Sequence, residues 1–381
     1  MSAVQARTRF RADQVGSFLR PAELKQAHAD HAQGRLPLPA LRELEDRAIL
    51  DVIELQKQVG ITIFSDGEFR RSSWSGDFAE SVEGFGAGAP AVSVFNTSAG
   101  NAPQERPAGQ GRVITAKLKQ KRRLTADEAG FLHQHAPGPF KMTMPAASYV
   151  LARGYNPSIT NAVYGNRAAA LADVAAIIQA EVRALVDEGV PYIQLDNPHY
   201  PDYLVDQRNA EWRALGVDPQ QALAEDIEAD NRTLSGVDRS NVLLAMHLCR
   251  GNGGRGQDQP AGWHTSGGYD AIAEQVFSNL EVDRFLLEYD SERAGGFEPL
   301  RFMPKGKTVV LGLVTTKSGE LEAQDILLRR IEEASKYVAM EDLALSPQCG
   351  FASTMAGNPL TVDEERRKLE LVVDTARKVW G

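Results

Sequence analysis

Eight short, apolar, β-rich runs recur along the 381-residue chain, with long amphipathic stretches between most of them. The runs are DQVGSF (13–18), ITIFSDGE (61–68), FKMTMP (140–145), PYIQLDNP (191–198), NVLLAMHLC (241–249), RFLLEYD (284–290), TVVLGLVTT (308–316) and LALSPQCG (343–350). Several are almost continuously apolar, which suits strands covered on both faces. Strands that alternate with helices predict a parallel sheet, and eight repeats predict a closed α/β (β/α)₈ TIM barrel over a single domain, residues 1–381. The helices have readable ends. Residues 41–59 keep helical periodicity up to Gly60, and residues 166–188 do so up to Gly189, both glycines standing where a left-handed cap belongs. Thr361 and Glu364 have capping-box spacing ahead of the last helix.

Two stretches interrupt the alternation. Residues 80–125, rich in Gly, Ala and Pro around AVSVFNT and RVITAKLKQ, predict a β-hairpin inserted after the second strand. Residues 251–275 follow the fifth strand as a glycine-rich loop of a length found in lids and binding loops, and are expected to border the active site. Their GNGGRG formally matches a dinucleotide fingerprint. That fingerprint needs a helix N-terminus directly afterwards, and the proline and glycine of QDQPAGWHT deny it one.

A net charge of −9 argues against a nucleic-acid partner, because phosphate contacts need a basic face. No apolar run approaches the roughly 20 residues that span a bilayer. The first residues lack the apolar core of a signal peptide, so a cytoplasmic location is expected. An oligomer is compatible with the composition. Cys249 and Cys349 are too few for a disulfide framework; they are either small buried apolar residues, or metal ligands or a nucleophile.

In a barrel of this kind, catalytic groups gather at the C-terminal ends of the strands. The predicted strands end in Ser17, Glu68, Asp196, His247 with Cys249, Glu288, Lys317 and Cys349. His247 and Cys249, two apart on a strand, share a face. With Glu288 and Cys349 they offer one imidazole, one carboxylate and two thiolates, a donor set suited to Zn²⁺. Because the four come from three strands rather than a cysteine knuckle, the set suits a catalytic centre. Glu68 and Asp196 could capture a cationic group such as an α-ammonium, or pair with Arg20, Arg70 or Arg71. His199, His264, His133 and His135 read as surface or loop residues.

Through RADQVGSFLRP, SDGEFRR, QLDNP, AMHLCRGN, LLEYDSERAGGFEPL and SPQCGFAST, the sequence resembles the cobalamin-independent methionine synthase family in its short, single-barrel form. The resemblance implies a methyltransferase that methylates the thiol of homocysteine to give methionine. His247, Cys249, Glu288 and Cys349 would hold zinc, and Ser17, Glu68 and Asp196 the amino-acid part of homocysteine. Where the family has a histidine acting as general acid, this chain has Lys317. The family's Asp-Glu-Pro segment here reads Asp196, Asn197, Pro198. Both departures concern the methyl donor, which would be methyltetrahydrofolate or a methylcorrinoid. Other readings are a zinc-dependent alkyltransferase to another small thiol, resembling epoxyalkane–coenzyme M transferases, and a non-catalytic zinc-binding barrel.

Overall fold

A computed structural model of the chain describes residues 10–91, 112–251 and 267–381. Six parallel strands form one sheet in chain order: β3 (Lys141–Pro145), β4 (Tyr192–Asp196), β5 (Leu243–Leu248), β6 (Arg284–Glu288), β7 (Thr308–Val314) and β8 (Leu343–Pro347). Every residue of these strands is buried, which explains their near-continuous apolar sequences. The architecture is mixed α/β and TIM-barrel-like.

The first two predicted strands differ from expectation. Segments 13–18 and 61–68 are not regular strands; each meets the sheet through a single parallel bridge, Ala12 to Leu345 of β8 and Phe64 to Phe140 beside β3. Positive φ at Gly16 (139°), Gly67 (69°) and Glu68 (59°) interrupts the extended repeat. Side chains replace the missing ladder: Ser65 Oγ donates to the Gly16 carbonyl at 2.7 Å and Gln14 Nε2 to that of Ile63 at 3.3 Å. One backbone bond also joins the segments, from Phe18 N to the Gly67 carbonyl at 3.2 Å.

Between the second segment and β3 lies a two-stranded antiparallel ribbon, β1 (Val82–Ala87) with β2 (Arg112–Gln120). Its first arm precedes AVSVFNT, most of which falls outside the described residues. So do residues 252–266 of the predicted glycine-rich loop. That loop ends earlier than expected, because Asp270–Asn279 is helical.

The helices Leu38–Val59 and Arg167–Asp187 end before glycines in the left-handed region, Gly60 at φ 88° and Gly189 at φ 81°. Thr361 and Glu364 form the reciprocal capping box of Val362–Trp380. His133 and His135 are exposed, whereas His264 lies outside the described residues. His199 departs from its surface assignment: it is buried, with Nδ1 at 3.2 Å from Asp202 and Nε2 at 3.3 Å from Asp226. Burial disfavours its charge, but the two carboxylates overcome this and raise its pKa to about 9. No described helix is long and apolar enough to cross a membrane.

Candidate active site

The C-terminal ends of the strands carry the reactive groups. His247 is the penultimate buried residue of β5, Cys249 follows that strand, and Cys349 stands two residues beyond β8. The ligand atoms of these three residues lie within 4.8 Å of one another, and the two sulfurs are 3.4 Å apart. His247 Nδ1 is 3.2 Å from the Leu286 carbonyl, which can only accept, so Nδ1 carries the proton. The Nε2 lone pair is then left buried without a partner. An imidazole oriented by a carbonyl, with its other nitrogen orphaned beside two thiols, has the chemistry of a soft-metal site. The residues therefore fit a zinc ion. Contact with Cys349 and burial push the Cys249 thiol well above its ordinary pKa in the metal-free protein.

Glu288, at the end of β6, stands outside that three-residue cluster. Its Oε1 accepts from Lys317 Nζ at 3.0 Å and from Arg293, while its Oε2 accepts from the Arg250 backbone N–H at 2.9 Å. Burial would raise this carboxyl, but Lys317 and Arg293 outweigh it and hold the group at about 2. Lys317 also donates to Asp290 at 3.2 Å.

Glu68 and Asp196 are both buried. Glu68 Oε1 accepts from Thr143 Oγ1 at 2.7 Å and faces Arg71 at 3.7 Å, while Oε2 is buried without a partner. Of the arginines considered for a structural pair, Arg70 goes to Glu45 and Asp46, and Arg20 binds the Glu68 backbone carbonyl. Asp196 Oδ1 accepts from Gln194 Nε2 at 2.7 Å. Burial raises Glu68 to about 7, with Arg71 opposing and Asp196 adding, and raises Asp196 to about 6 against the nearby His247. The expected arginine pair is thus present for Glu68, with Arg71, while its other oxygen stays vacant beside a second buried carboxylate, an arrangement that could also take a cationic ligand. Ser17 is stitched to the cysteine loop, its carbonyl accepting from Phe351 N at 2.9 Å.

Asn197, where the resembling family has a glutamate, is built into a buried network. Its amide donates to Ser148 Oγ at 2.6 Å and Asp230 at 3.0 Å. Sequence reasoning passed over Thr143, Gln194 and Arg293. Gln194 was within reach, since it stands two residues before Asp196 and so on the same strand face.

The family described as cobalamin-independent synthase, catalytic domain, matches residues 10–252 and 263–378. The chain belongs to this family. Methyltransferase chemistry follows from that membership. Bacillus subtilis YxjH, an uncharacterised protein, is 36% identical over 99% of this chain and 96% of its own length. The methionine synthase of Pyrococcus abyssi is 25% identical over 88% of this chain and 85% of its own. A Listeria monocytogenes structure, described as a candidate vitamin-B12-independent methionine synthase, superposes with a TM-score of 0.74 at 30% identity, covering 98% of both chains. A B12-independent methionine synthase from Shewanella sp. W3-18-1, solved with selenomethionine, superposes at 0.71; at 18% identity, over 97% of this chain and 96% of its own, it speaks for the fold.

Proposed function

We propose that the protein is a zinc-dependent methyltransferase that transfers a methyl group to the thiol of homocysteine, giving methionine. The observation that carries this reading is the buried His247–Cys249–Cys349 cluster beside the Glu68–Asp196 pair. The first suits a metal that activates sulfur, the second an amino group on the same substrate. Residues 1–381 would form one catalytic domain in a closed barrel, its ring completed by the bridged segments 13–18 and 61–68 in place of two regular strands and with the 80–125 hairpin inserted, working in the cytoplasm, where thiols stay reduced.

His247, Cys249 and Cys349 would hold the zinc, and Glu288 would supply a fourth donor by giving up one of its cations. Zinc bound there would keep a substrate thiol ionised at neutral pH, where a free thiol with pKa near 8.5 is mostly protonated. The Leu286 carbonyl holds the His247 ring in its metal-binding tautomer. Glu68 and Asp196 would accept hydrogen bonds from the substrate ammonium, with Ser17 beside them, so that the sulfur points at the incoming methyl. A sulfur–carbon bond forms as the bond from methyl to donor breaks, and that electron pair leaves with the donor. A thiol bearing a sulfonate and no amine, such as coenzyme M, would meet two carboxylates where it needs cations, which disfavours the alkyltransferase alternative.

The donor follows from Lys317. A folate nitrogen must be protonated as it leaves, and an amine with an ordinary pKa near 10.4 is a weak acid for that task. A corrinoid leaves without a proton. A methylcorrinoid is therefore the proposed donor, ahead of methyltetrahydrofolate. Zinc-edge X-ray absorption with and without homocysteine tests the thiol half: one added sulfur neighbour is expected, and an unchanged metal environment would reject it. Methionine formation from each donor at matched concentration tests the other half, with efficient folate turnover and none from methylcobalamin the rejecting result.

A further inference from the structure

Each carboxylate at the amine site has one oxygen held from behind by a neutral side chain, and each such side chain is itself oriented by a buried cation. Thr143 Oγ1 accepts from Arg71 Nη1 at 3.1 Å, so its single hydrogen is committed to Glu68 Oε1 at 2.7 Å. Arg71 Nη2 also donates to the Thr143 carbonyl at 2.9 Å, which locks the pair. On β4, Gln194 Oε1 accepts from Lys141 Nζ at 2.9 Å. That contact decides which way the amide faces, and its NH₂ group is left to donate to the Val15 carbonyl at 2.6 Å and to Asp196 Oδ1 at 2.7 Å. Lys141 is in turn paired with Asp13 at 2.8 Å. The packing admits no slack on the Glu68 side: a Cβ on Gly16 would come within 2.8 Å of Thr143 Cγ2 and 3.0 Å of Glu68 Oε1.

We infer that Thr143 and Gln194 are positioning residues that confer selectivity for an amine-bearing thiol, by pinning one oxygen of Glu68 and of Asp196 and so aiming the other at the ammonium. The inference rests on the reading of these carboxylates as the ammonium site. Both act through the carboxylates they bond, and neither needs to touch substrate. A carboxylate free to rotate would also accept from other donors, or turn toward Arg71, and would lose its preference for the ammonium. Preorganisation of this kind lowers the ordering cost of binding.

The test uses the zinc-loaded protein and two probes, homocysteine and 4-mercaptobutyrate, which lacks only the amine; dissociation constants are measured by calorimetry. Thr143→Val keeps the side-chain shape and removes the hydroxyl. It is expected to weaken homocysteine roughly five- to tenfold, as befits an indirect effect on a charged hydrogen bond. The constant for 4-mercaptobutyrate should stay unchanged, and Thr143→Ser should restore homocysteine binding. Gln194→Met makes the same measurement for Asp196 and serves if Thr143→Val does not fold. Equal weakening of both thiols, or no weakening of either, overturns the inference. Glu68→Gln is measured alongside: if it leaves the ratio of the two constants intact, the ammonium reading itself fails. If Glu68→Gln collapses the ratio and Thr143→Val does not, only the positioning role fails.

Discussion

At the scale of single residues, what the site can do depends on which atoms are left without partners. His247 Nε2 and Glu68 Oε2 are both buried and unpaired, a costly state unless a ligand completes them. Cys349→Ser should therefore reduce bound zinc from about one per chain to a small fraction, read by atomic absorption on dialysed protein. The far-ultraviolet circular dichroism should be unaltered, since the sheet does not depend on the cysteine. Full retention of zinc would remove Cys349 from the metal centre. Lys317 gives a second test. It is tied to Glu288 and Asp290, and both carboxylates favour its charged form. Lys317→Met should lower single-turnover methyl transfer from methylcobalamin by less than about tenfold, whereas loss of a working general acid costs about 10²–10⁴-fold. A loss in that larger range would show that Lys317 takes a direct part in the chemical step.

At the scale of elements, strand ends place the chemistry and helix ends hold the strands. The helix Val362–Trp380 packs its apolar face against the sheet, and its start depends on reciprocal bonds: Thr361 Oγ1 accepts from Glu364 N, and Glu364 Oε2 accepts from Thr361 N at 2.7 Å. Thr361→Ala should cost about 1 kcal/mol in urea unfolding at pH 7, with no change in homocysteine affinity. A change in affinity would mean that the cap acts on the site. The legibility of the elements divides along the same line. Helices with a glycine stop or a capping box could be read to within a few residues, because those signals are local. The end of segment 61–68 could not, because left-handed φ at Glu68, a non-glycine residue, is imposed by its packed surroundings and not by its type.

Over the whole molecule, one buried acid ties segments far apart in the chain. Glu365 Oε1 accepts from the Leu19 backbone N–H at 2.9 Å across 346 residues. Burial is the dominant influence on this carboxyl, only partly opposed by that bond, and it raises the pKa from 4.5 to about 8. The folded chain thus keeps a proton that the unfolded chain releases. Stability from this group is full below pH 4.5, falls as pH rises through the window to about 8, and is level above it. Glu365→Gln keeps an acceptor for Leu19 and removes the titration. Its advantage over the parent protein should grow with pH across that window, by up to about 1.4 kcal/mol per pH unit, in urea titrations at a series of pH values. A constant difference between the two proteins would show that Glu365 does not titrate there.

Periodicity and strand-end chemistry determined the strand order and the placement of His247, Cys249, Glu288 and Cys349 at one edge, since a parallel sheet with local crossovers carries its strand ends to one side whatever the loops do. Tertiary structure decided what no local pattern encodes. His199, read as a surface residue, is buried between two acids because Asp226 arrives from the helix Pro219–Thr233. Glu288 faces Lys317 and Arg293 instead of joining the His–Cys–Cys cluster, because a buried carboxylate needs paired charge and both cations come within reach of it. Thr143 and Gln194 acquire their places only when Arg71 and Lys141 reach them from elsewhere in the fold. A side chain's partners depend on distances across the packed core, and spacing along the chain carries no record of those.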